Sequence, residues 1–306
     1  MNGRFKRFGT CLVTPSGGNG GRGPAFAISK VQSDMFNRFL LERFGLSKFT
    51  IKQITVAGRL GDFIGSRVSS LKCSGGFYEY FNLLKSDKNE FQMLADFITC
   101  KETRFFRAPD QFRLFLNVLT KIKETDPFGK RLCIWSAGSS TGEEAYSIAM
   151  LLNSDADLKH WDVKIFATDV ADRAVEFAKI GAYDDNSRKR IDDKEFLGVF
   201  DGSTIKTERG YEIRKEVRSL VDFSVHNLMD DIFVAPNIIF CRNVLIYFEP
   251  EKVRDVLKKF YSVLPHGGFL FTGHPEGSSK IFEGDPSLKG FEYVSGSGSF
   301  LWRKPF

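Results

Sequence analysis

The most informative absence in this sequence is that of a long apolar run. Hydrophobic residues form 42% of the 306-residue chain, yet no stretch approaches the roughly 18–20 apolar residues that span a bilayer. The first residues, Met1 to Pro24, also lack the apolar segment of a secretory signal and are instead basic and rich in glycine. We therefore expect a cytoplasmic protein without membrane insertion, with a disordered leader over residues 1–27.

Metal-binding patterns are missing as well. The five cysteines and four histidines show no spacing typical of a metal site, so we predict no metal. Cys133 and Cys241 stand inside apolar, strand-like runs, which is typical of reduced cysteines in the core of an intracellular protein. The formal net charge of +6 is a weak indication of an acidic or anionic partner.

The chain is organised around a strand–loop–helix unit near its middle. Leu132–Trp135 is an apolar run with the length of a buried strand, and Ser136–Gly142 is a loop of small residues. The helix that follows has an amphipathic pattern, and its start carries two overlapping capping-box spacings, Ser140–Glu143 and Thr141–Glu144. Such a unit opens nucleotide-binding α/β folds, in which free N–H groups of the helix face the ligand.

Strands and helices alternate in the remainder of the chain. Predicted strands lie at Val163–Asp169, Val221–Asn227, Ile238–Cys241 and Phe269–Thr272, and predicted helices at Ala171–Ile180 and Pro250–Val263. A small antiparallel insert is expected at about residues 200–223, and a hairpin at the end. The alternation predicts an α/β fold, a doubly wound and mostly parallel sheet over residues 130–306 with an antiparallel final strand.

Before the sheet the pattern is helical. Residues 28–100 predict a small all-α domain, in which Ser33 caps the first helix, Gly45 ends it and Asn89 caps a later one. Residues 101–129 are interpreted as a linker followed by a helix that Pro109 opens.

The loop after the first predicted strand indicates the kind of ligand. It has only Gly138 and Gly142, one glycine fewer than a dinucleotide fingerprint, and no Lys-Ser/Thr pair follows as in a P-loop. The adjacent carboxylates of Glu143 and Glu144 would repel a pyrophosphate. Asp169, at the end of the second strand, can accept hydroxyls of a ribose. The pattern suits a cationic adenosyl ligand without phosphate, and S-adenosylmethionine fits it.

Four motifs resemble those of the CheR-type chemotaxis-receptor glutamate O-methyltransferases. They are Lys101–Arg107 (KETRFFR), Trp135–Ser147 (WSAGSSTGEEAYS), Ile239–Phe248 (IFCRNVLIYF) and Gly267–His274 (GGFLFTGH). They occur in the family's order, and the Ile239–Phe248 string is highly specific. The resemblance implies a Rossmann-like S-adenosylmethionine-dependent methyltransferase domain with a β-subdomain inserted in it and a helical domain before it.

The resemblance also implies the residues of the site. Thr103 and Arg107 would close over the cofactor, and Arg107 and Tyr247 would be catalytic, near the transferred methyl group. The implied cofactor-binding residues are Lys101, Thr103, Arg107, Ala137, Gly138, Glu143, Glu144, Asp169, Asn227, Leu228, Arg242 and Asn243. Lys101 stands where the family usually has asparagine, which removes one amide contact with the cofactor.

The implied reaction methylates glutamate side chains of chemotaxis receptors for sensory adaptation, with S-adenosylhomocysteine as the second product. A glutamate with a pKa of about 4.3 is ionised at neutral pH, so no general base is needed. Two alternatives stay open. The chain could be a non-catalytic module that binds the cofactor or its product at a receptor, or a methyltransferase of nucleic acids or small molecules. The latter is disfavoured, because Arg242–Leu245 stands where many amino-methylating enzymes carry an Asn/Asp-Pro-Pro-aromatic motif.

A basic segment suggests how a receptor is bound. Between Arg43 and Lys72 lie six basic residues and one acid, Asp62. The pattern fits a solvated helix face or a docking surface for the glutamate-rich cytoplasmic helices of a receptor, which would recruit the protein to membrane-bound arrays. Some family members also bind a receptor peptide through the β-subdomain. Because the segment Gly202–Gly210 has glycines only at its ends, we expect no such tether here.

Overall fold

The computed structural model of the chain describes residues 26–48, 50–52, 59–99, 101–273, 288–294 and 300–306. Nearly all of the predicted disordered leader, as well as the histidine that closes the fourth motif, lies outside these residues. The chain forms two compact units. The helical unit comprises the residues up to Glu102 together with Tyr247–Glu249, and the sheet unit comprises Thr103–Ile246 and Pro250–Phe306. The segment interpreted as a linker therefore contributes only its first two residues to the helical unit.

The helical unit is built around aromatic side chains. Its helices are α1 (Lys30–Phe44), α2 (Arg59–Ser70), α3 (Gly76–Ser86) and α4 (Lys88–Ile98). The rings of Phe36, Phe39 and Phe81 lie with their centroids 5.6–6.1 Å apart, which accounts for much of the packing between α1 and α3. Phe248 forms a β-bridge with Leu46, so the short segment Tyr247–Glu249 packs with this unit.

Two predicted helix caps are wrong, while a predicted helix end is confirmed. Ser29, not Ser33, caps α1 through a complete capping box with Gln32. Ser33 already donates its backbone N–H to the carbonyl of Ser29, as a residue of the first helical turn does. In α4 the cap is Asp87, whose carboxylate accepts the amides of Asn89 and Glu90. Gly45 ends α1 in the left-handed conformation, as expected.

The sheet unit holds the predicted α/β fold. Its strands are β1 (Arg131–Ala137), β2 (Asp162–Asp169), β3 (Ala182–Tyr183), β4 (Thr204–Thr207), β5 (Gly210–Ile213), β6 (Val221–Val225), β7 (Ile238–Cys241), β8 (Phe269–Thr272), β9 (Glu292–Val294) and β10 (Phe300–Arg303). Its helices are α5 (Pro109–Thr125), α6 (Glu143–Ser154), α7 (Asp172–Ile180), α8 (Asp185–Lys189), α9 (Lys194–Ser203), α10 (Lys215–Arg218) and α11 (Pro250–Val263). Among the described residues, no helix is both long and apolar enough to cross a membrane.

The main sheet confirms the predicted topology. Its strand order is β6-β2-β1-β7-β8-β10-β9. The pairs from β6 to β8 are all parallel, and β10 runs antiparallel to both β8 and β9. From β1 the sheet extends through β2 to β6 on one side and through β7 to β8 on the other, so the strand order changes direction at β1. In sheets of this kind the ligand binds in a crevice at the carboxyl ends of the strands beside this point.

A second, antiparallel sheet has the order β3-β5-β4. Only part of it coincides with the insert expected at about residues 200–223, because β3 comes from Ala182–Tyr183 and precedes α8 and α9. A strand of two residues has too few positions to show an alternating pattern, so it left no signal in the sequence. Val221–Val225, at the end of the expected insert, pairs with β2 in the main sheet.

Helix α6 differs from the amphipathic helix that its sequence predicts. All residues from Ala145 to Leu152 are buried, so the helix has no solvent-facing stripe along this stretch. One side faces the parallel sheet, and α9 and α10 cover another side. The helix that follows the central loop is therefore held in the interior of the sheet unit.

Candidate active site

The main sheet brings most of the predicted site residues to one edge. Strands β6, β2, β1 and β7 are neighbours and parallel, so their carboxyl ends lie side by side. Asp169 is the last residue of β2, and Ala137 is the last residue of β1, with Gly138 next to it. Beyond the ends of β6 and β7 lie Asn227 with Leu228 and Arg242 with Asn243, respectively. The sequence pattern predicted this juxtaposition.

Hydrogen bonds from β2 hold the loop after β1. The amides of Gly138 and Ser139 both donate to the carbonyl of Thr168 at 2.8 Å, and the amide of Ser140 donates to Asp169 Oδ2 at 2.8 Å. Gly138 has a φ of 85°, and a Cβ there would collide with the side chain of Val244. A side chain at this position would therefore be strained and would also push the loop away from the segment after β7.

The start of α6 corrects the expectation of a capping box. Gly142, with a φ of 94°, is the N-cap and has no side chain to offer, so neither predicted box forms. Thr141 Oγ1 instead donates to Glu143 Oε2 at 2.6 Å, and the hydroxyl of Tyr183 on β3 donates to the Thr141 carbonyl at 2.7 Å. Buried side chains of Glu143 on α6 and Tyr183 on β3 thus hold the loop through hydrogen bonds on its interior side.

Glu143 and Glu144 occupy different surroundings. The Glu143 side chain is buried behind the loop, and this burial raises its pKa to about 7 despite the hydrogen bond from Thr141. Glu144 accepts hydrogen bonds from Ser136 Oγ at 2.8 Å and from the guanidinium of Arg242 at 3.2 Å. The structure therefore places Glu143 in the interior and Glu144 in a polar cluster at the end of β1.

Burial of Glu143 predicts a pH-dependent stability. Its folded pKa of about 7 lies above the unfolded value of 4.5, so the folded state binds the extra proton between these values and loses stability as the pH rises. Glu143→Gln cannot ionise at this position. We therefore expect its free energy of unfolding, relative to that of the wild type, to rise by about 1.4 kcal/mol per pH unit between these two pKa values. Urea unfolding of both proteins at pH 5, 6, 7 and 8 measures the difference. A constant difference over that range would contradict the prediction.

Arg242 joins three elements at the carboxyl edge. Its side chain is only 3% exposed, and it donates to Glu144 on α6 and to the backbone carbonyl of Arg107. The guanidinium also lies over the ring of Phe112 on α5, 5.4 Å from its centroid. We call Ser136, Glu144, Arg242 and the Arg107 carbonyl the Arg242 cluster. It fixes the backbone of the first motif next to the end of β1.

The segment around Arg107 has an unusual backbone. Phe106 and Ala108, on either side of Arg107, have φ values of 51° and 59°, a conformation that residues with a side chain rarely adopt. The Phe106 amide donates to Ser147 Oγ at 2.9 Å, and its ring stacks on Phe196 at 4.8 Å. Strained residues of this kind persist where the surroundings hold them, and they are concentrated at functional sites. The Phe-Phe pair therefore anchors the segment that presents Arg107.

Asn227 and Leu228 follow β6, the outermost parallel strand of the sheet. Asn227 Oδ1 accepts the amide of Met229 at 3.0 Å, and Leu228 is buried. The amide of His226, the residue before them, donates to the Asp169 carbonyl at 3.0 Å. This bond ties the start of the turn after β6 directly to the end of β2.

Some predicted residues lie elsewhere. Lys101 and Tyr247 belong to the helical unit. There Lys101 pairs with Asp96 at 3.4 Å, and the Tyr247 carbonyl accepts the amide of Ser47 at 2.8 Å. Thr103 is half-buried at the start of the sheet unit. The roles predicted for these three residues remain predictions.

The structure adds polar groups that were not among the predicted site residues. Gln111 on α5 donates to the Thr272 carbonyl at 2.9 Å, which connects α5, the helix after the first motif, to the end of β8. The hydroxyls of Ser139 and Ser140 are buried and have no hydrogen-bond partner among the residues that the structure describes. Serines in a small-residue loop carry little sequence signal, because their burial follows from tertiary packing. Over the described residues, no group of three or more His, Cys, Asp or Glu side chains is arranged to hold a metal ion.

Comparison with known proteins agrees with this arrangement. Residues 101–285 match the family described as "CheR methyltransferase, SAM binding domain". The chain is similar to a chemotaxis protein methyltransferase of Escherichia coli (strain K12), with 30% identity over 83% of this chain and 87% of that protein. It is also similar to a chemotaxis protein methyltransferase of Listeria innocua, with 31% identity over 85% of this chain and 95% of that protein.

Among solved structures, the chain is similar to the magnesium protoporphyrin IX methyltransferase of Synechocystis PCC 6803. The two share 12% identity over 72% of this chain and 92% of that one, with a TM-score of 0.33. The family match and the two relatives, together with the parallel sheet and its carboxyl-edge site, lead to one conclusion: the chain belongs to the CheR family of S-adenosylmethionine-binding methyltransferases.

Proposed function

We propose that this protein methylates glutamate side chains on the cytoplasmic helices of chemotaxis receptors. The observation that carries the proposal is the Arg242 cluster, which holds the backbone of Arg107 at the carboxyl edge of the sheet beside the loop after β1. A guanidinium carried by this fixed backbone suits a carboxylate substrate. The relatives are named chemotaxis protein methyltransferases, which supports a receptor as the substrate.

The residues at the carboxyl edge fit S-adenosylmethionine. The Asp169 carboxylate accepts the amides of Ser140 and Ala171, and a carboxylate has lone pairs left for ribose hydroxyls. Two buried serine hydroxyls, which have no partner in the described part of the chain, lie in the loop after β1. When bound there, S-adenosylmethionine supplies an electrophilic methyl group, and S-adenosylhomocysteine is left when a glutamate has become its methyl ester.

The chain's own residues position and partly desolvate the reacting groups. A substrate glutamate is ionised at neutral pH, so no residue has to remove a proton. In the proposed mechanism, Arg107 holds one carboxylate oxygen by a forked contact and leaves the other free to react. The strained backbone on either side of Arg107 limits how far its Cα can move, which restricts the space that the guanidinium can reach.

Transfer of a labelled methyl group tests the proposed reaction. The protein is incubated with methyl-labelled S-adenosylmethionine and membranes that contain the receptor, and the washed membranes are then treated with base. A glutamyl methyl ester releases labelled methanol, whereas a methylated amine or nucleic acid does not. Membranes without the receptor serve as the control. Absence of base-labile label would contradict the proposed reaction.

One observation favours a second candidate, a module that binds the cofactor at a receptor without catalysis. Lys101 stands where the family usually has asparagine, and its ammonium pairs with Asp96. It therefore replaces a neutral amide by a cation that is engaged within the helical unit. The labelling experiment separates the two candidates, because the second binds S-adenosylhomocysteine but transfers no methyl group.

We infer that the basic segment of the helical unit docks the receptor. Of its six basic residues, Arg67 is engaged by the buried carboxylate of Glu90 in a two-point contact and is not available to a partner. The five others are exposed: Arg43, Lys48, Lys52, Arg59 and Lys72. Docking there would recruit the protein to receptor arrays at the membrane.

Receptor binding is accordingly expected to weaken with salt. Exposed charges are screened over about 8 Å at an ionic strength of 0.15 M, so raising NaCl from 50 to 300 mM should lower affinity about tenfold. The triple variant Lys48→Glu/Lys52→Glu/Lys72→Glu should bind weakly at every salt concentration. Lys121→Glu, at an exposed position of the sheet unit, is the matched control. Titration calorimetry with a receptor cytoplasmic fragment measures both effects, and an affinity that is independent of salt would exclude this docking surface.

A further inference from the structure

The connection between β6 and β7 lacks the helix that such a connection usually has. These strands are parallel to their neighbours but are separated in the sheet by β2 and β1. Parallel strands are typically joined through a helix, which satisfies its own backbone groups. Residues 226–237 are all described and contain no helix or strand. Their backbone groups therefore need partners from other elements.

Lys259 on α11 supplies these partners at the site end of the connection. Its ammonium donates to the carbonyl of Met229 at 2.7 Å and of Asp230 at 2.8 Å, and it lies 3.5 Å from the carbonyl of Leu228. A lysine ammonium has three donors, so the three carbonyls match its full capacity. Because the donor is charged, these bonds are stronger than those between neutral groups.

The same segment is also closed by its own hydrogen bonds. The amide of Asp230 donates to the Asn227 carbonyl at 2.9 Å, and the Asn227 side chain accepts the Met229 amide at 3.0 Å. We call residues 227–230 the Lys259-bound turn. The residue before it, His226, donates its amide to Asp169 on β2. The turn therefore lies between the last residue of β2, Asp169, on one side and the ammonium of Lys259 on the other.

A different residue fixes the far end of the connection. Asn237 donates its amide to the Cys133 carbonyl at 2.7 Å and accepts the Cys133 amide on its side chain at 2.7 Å. These two hydrogen bonds hold Asn237, the residue before β7, against Cys133 on β1, and they do not involve the turn. Loss of Lys259 should thus release the turn and leave the register of the sheet unchanged.

We propose that Lys259 is a positioning residue for the cofactor. Its ammonium fixes the Lys259-bound turn and thereby sets the positions of Asn227 and Leu228, which the resemblance to the CheR family assigns to the cofactor site. Lys259 itself need not touch the cofactor, because it acts through three backbone carbonyls. The inference rests on the proposed cofactor site and extends it to a residue outside every family motif.

The test compares Lys259→Met with Lys258→Met. Lys258 is the adjacent lysine of α11 and is exposed, so its replacement removes the same charge from the same helix. Calorimetric titration with S-adenosylhomocysteine is expected to show an affinity about tenfold lower for Lys259→Met, since hydrogen bonds to a charged group are lost. Lys258→Met should stay within about twofold of the wild type. Without ligand, hydrogen exchange at the Met229 and Asp230 amides should speed up only in Lys259→Met.

Each outcome has a definite reading. Equal affinity in Lys259→Met and the wild type, even with a lower melting temperature, reduces Lys259 to a structural role and overturns the inference alone. A wild-type protein that does not bind S-adenosylhomocysteine overturns the proposed cofactor site and the inference with it. Should Lys259→Met fail to fold, Lys259→Gln replaces it. Its amide offers two donors without a charge, so an affinity below that of the wild type supports the inference and an unchanged affinity contradicts it.

Discussion

Replacing Arg107 by alanine is expected to lower methyl transfer about 100-fold or more while the protein stays folded. In the proposed mechanism, the guanidinium of Arg107 orients the substrate carboxylate toward the methyl group, and the variant loses this positioning. The backbone of Arg107 is held by Arg242 and by the neighbouring Phe106, so the substitution removes the side chain without releasing the segment. Initial rates with receptor-containing membranes measure the loss, and titration with S-adenosylhomocysteine measures cofactor binding.

Two further variants separate the role of Arg107 from that of charge in general. Arg104→Ala removes a nearby arginine of the same motif, whose side chain is 43% exposed and whose ion pair with Asp192 is 3.7 Å long, so it should retain nearly full activity. Arg107→Lys keeps the charge but loses the planar fork, so only part of the rate should return. If Arg107→Ala transfers methyl groups at the wild-type rate, the assigned role is incorrect.

Replacing Arg242 by methionine is expected to cost both stability and activity. Removing one member of a buried ion pair leaves the other charge without compensation, which typically costs about 3–5 kcal/mol. Here Glu144 would lose its guanidinium partner, and the Arg107 carbonyl would lose its donor. We therefore expect a lower free energy of unfolding in urea, together with weaker cofactor binding and slower methyl transfer at temperatures where the variant is folded.

A double-mutant cycle tests whether the loss of stability in Arg242→Met comes from its interaction with Glu144. Glu144→Gln keeps an acceptor for Ser136 but removes the negative charge. If the two groups act together, the double variant Arg242→Met/Glu144→Gln should be less destabilised than the sum of the single variants. Arg188→Met, which breaks an exposed ion pair with Asp201, is the control and should lose much less. Additive effects in the cycle would show that Glu144 and Arg242 stabilise the fold independently.

The main sheet could be predicted because its strands leave strong signals. Ile238–Cys241 is an uninterrupted apolar run, and Phe269–Thr272 follows a Pro-His-Gly-Gly turn, so both were assigned with the bounds that the structure has. The boundaries of α1 and α4 were less predictable. Ser33 and Asn89 are good cap residues by type, but Ser29 and Asp87 are the ones whose backbone stands just before the helix.

Helix α6 shows what an amphipathic pattern does not predict. Its sequence was expected to leave one face in solvent, yet α9 and α10 bury that face. The covering elements come from residues far along the chain, so no local window contains the information. The same packing buries Glu143 beside Tyr183 and raises its pKa, whereas Glu144, the next residue, lies in the Arg242 cluster.

By itself, the sequence determined the α/β class and the alternation of strands and helices, and it predicted a cationic adenosyl ligand, because hydrophobic periodicity and the missing loop glycine are local properties. It also placed Asp169, Asn227 and Arg242 at strand ends, since parallel strands share one carboxyl edge. Only the tertiary structure decided how these groups are held. The two-residue strand β3, the buried contacts of Arg242 and the three bonds from Lys259 all join residues that are distant in the chain. Such contacts follow from packing in three dimensions and leave no pattern in the sequence.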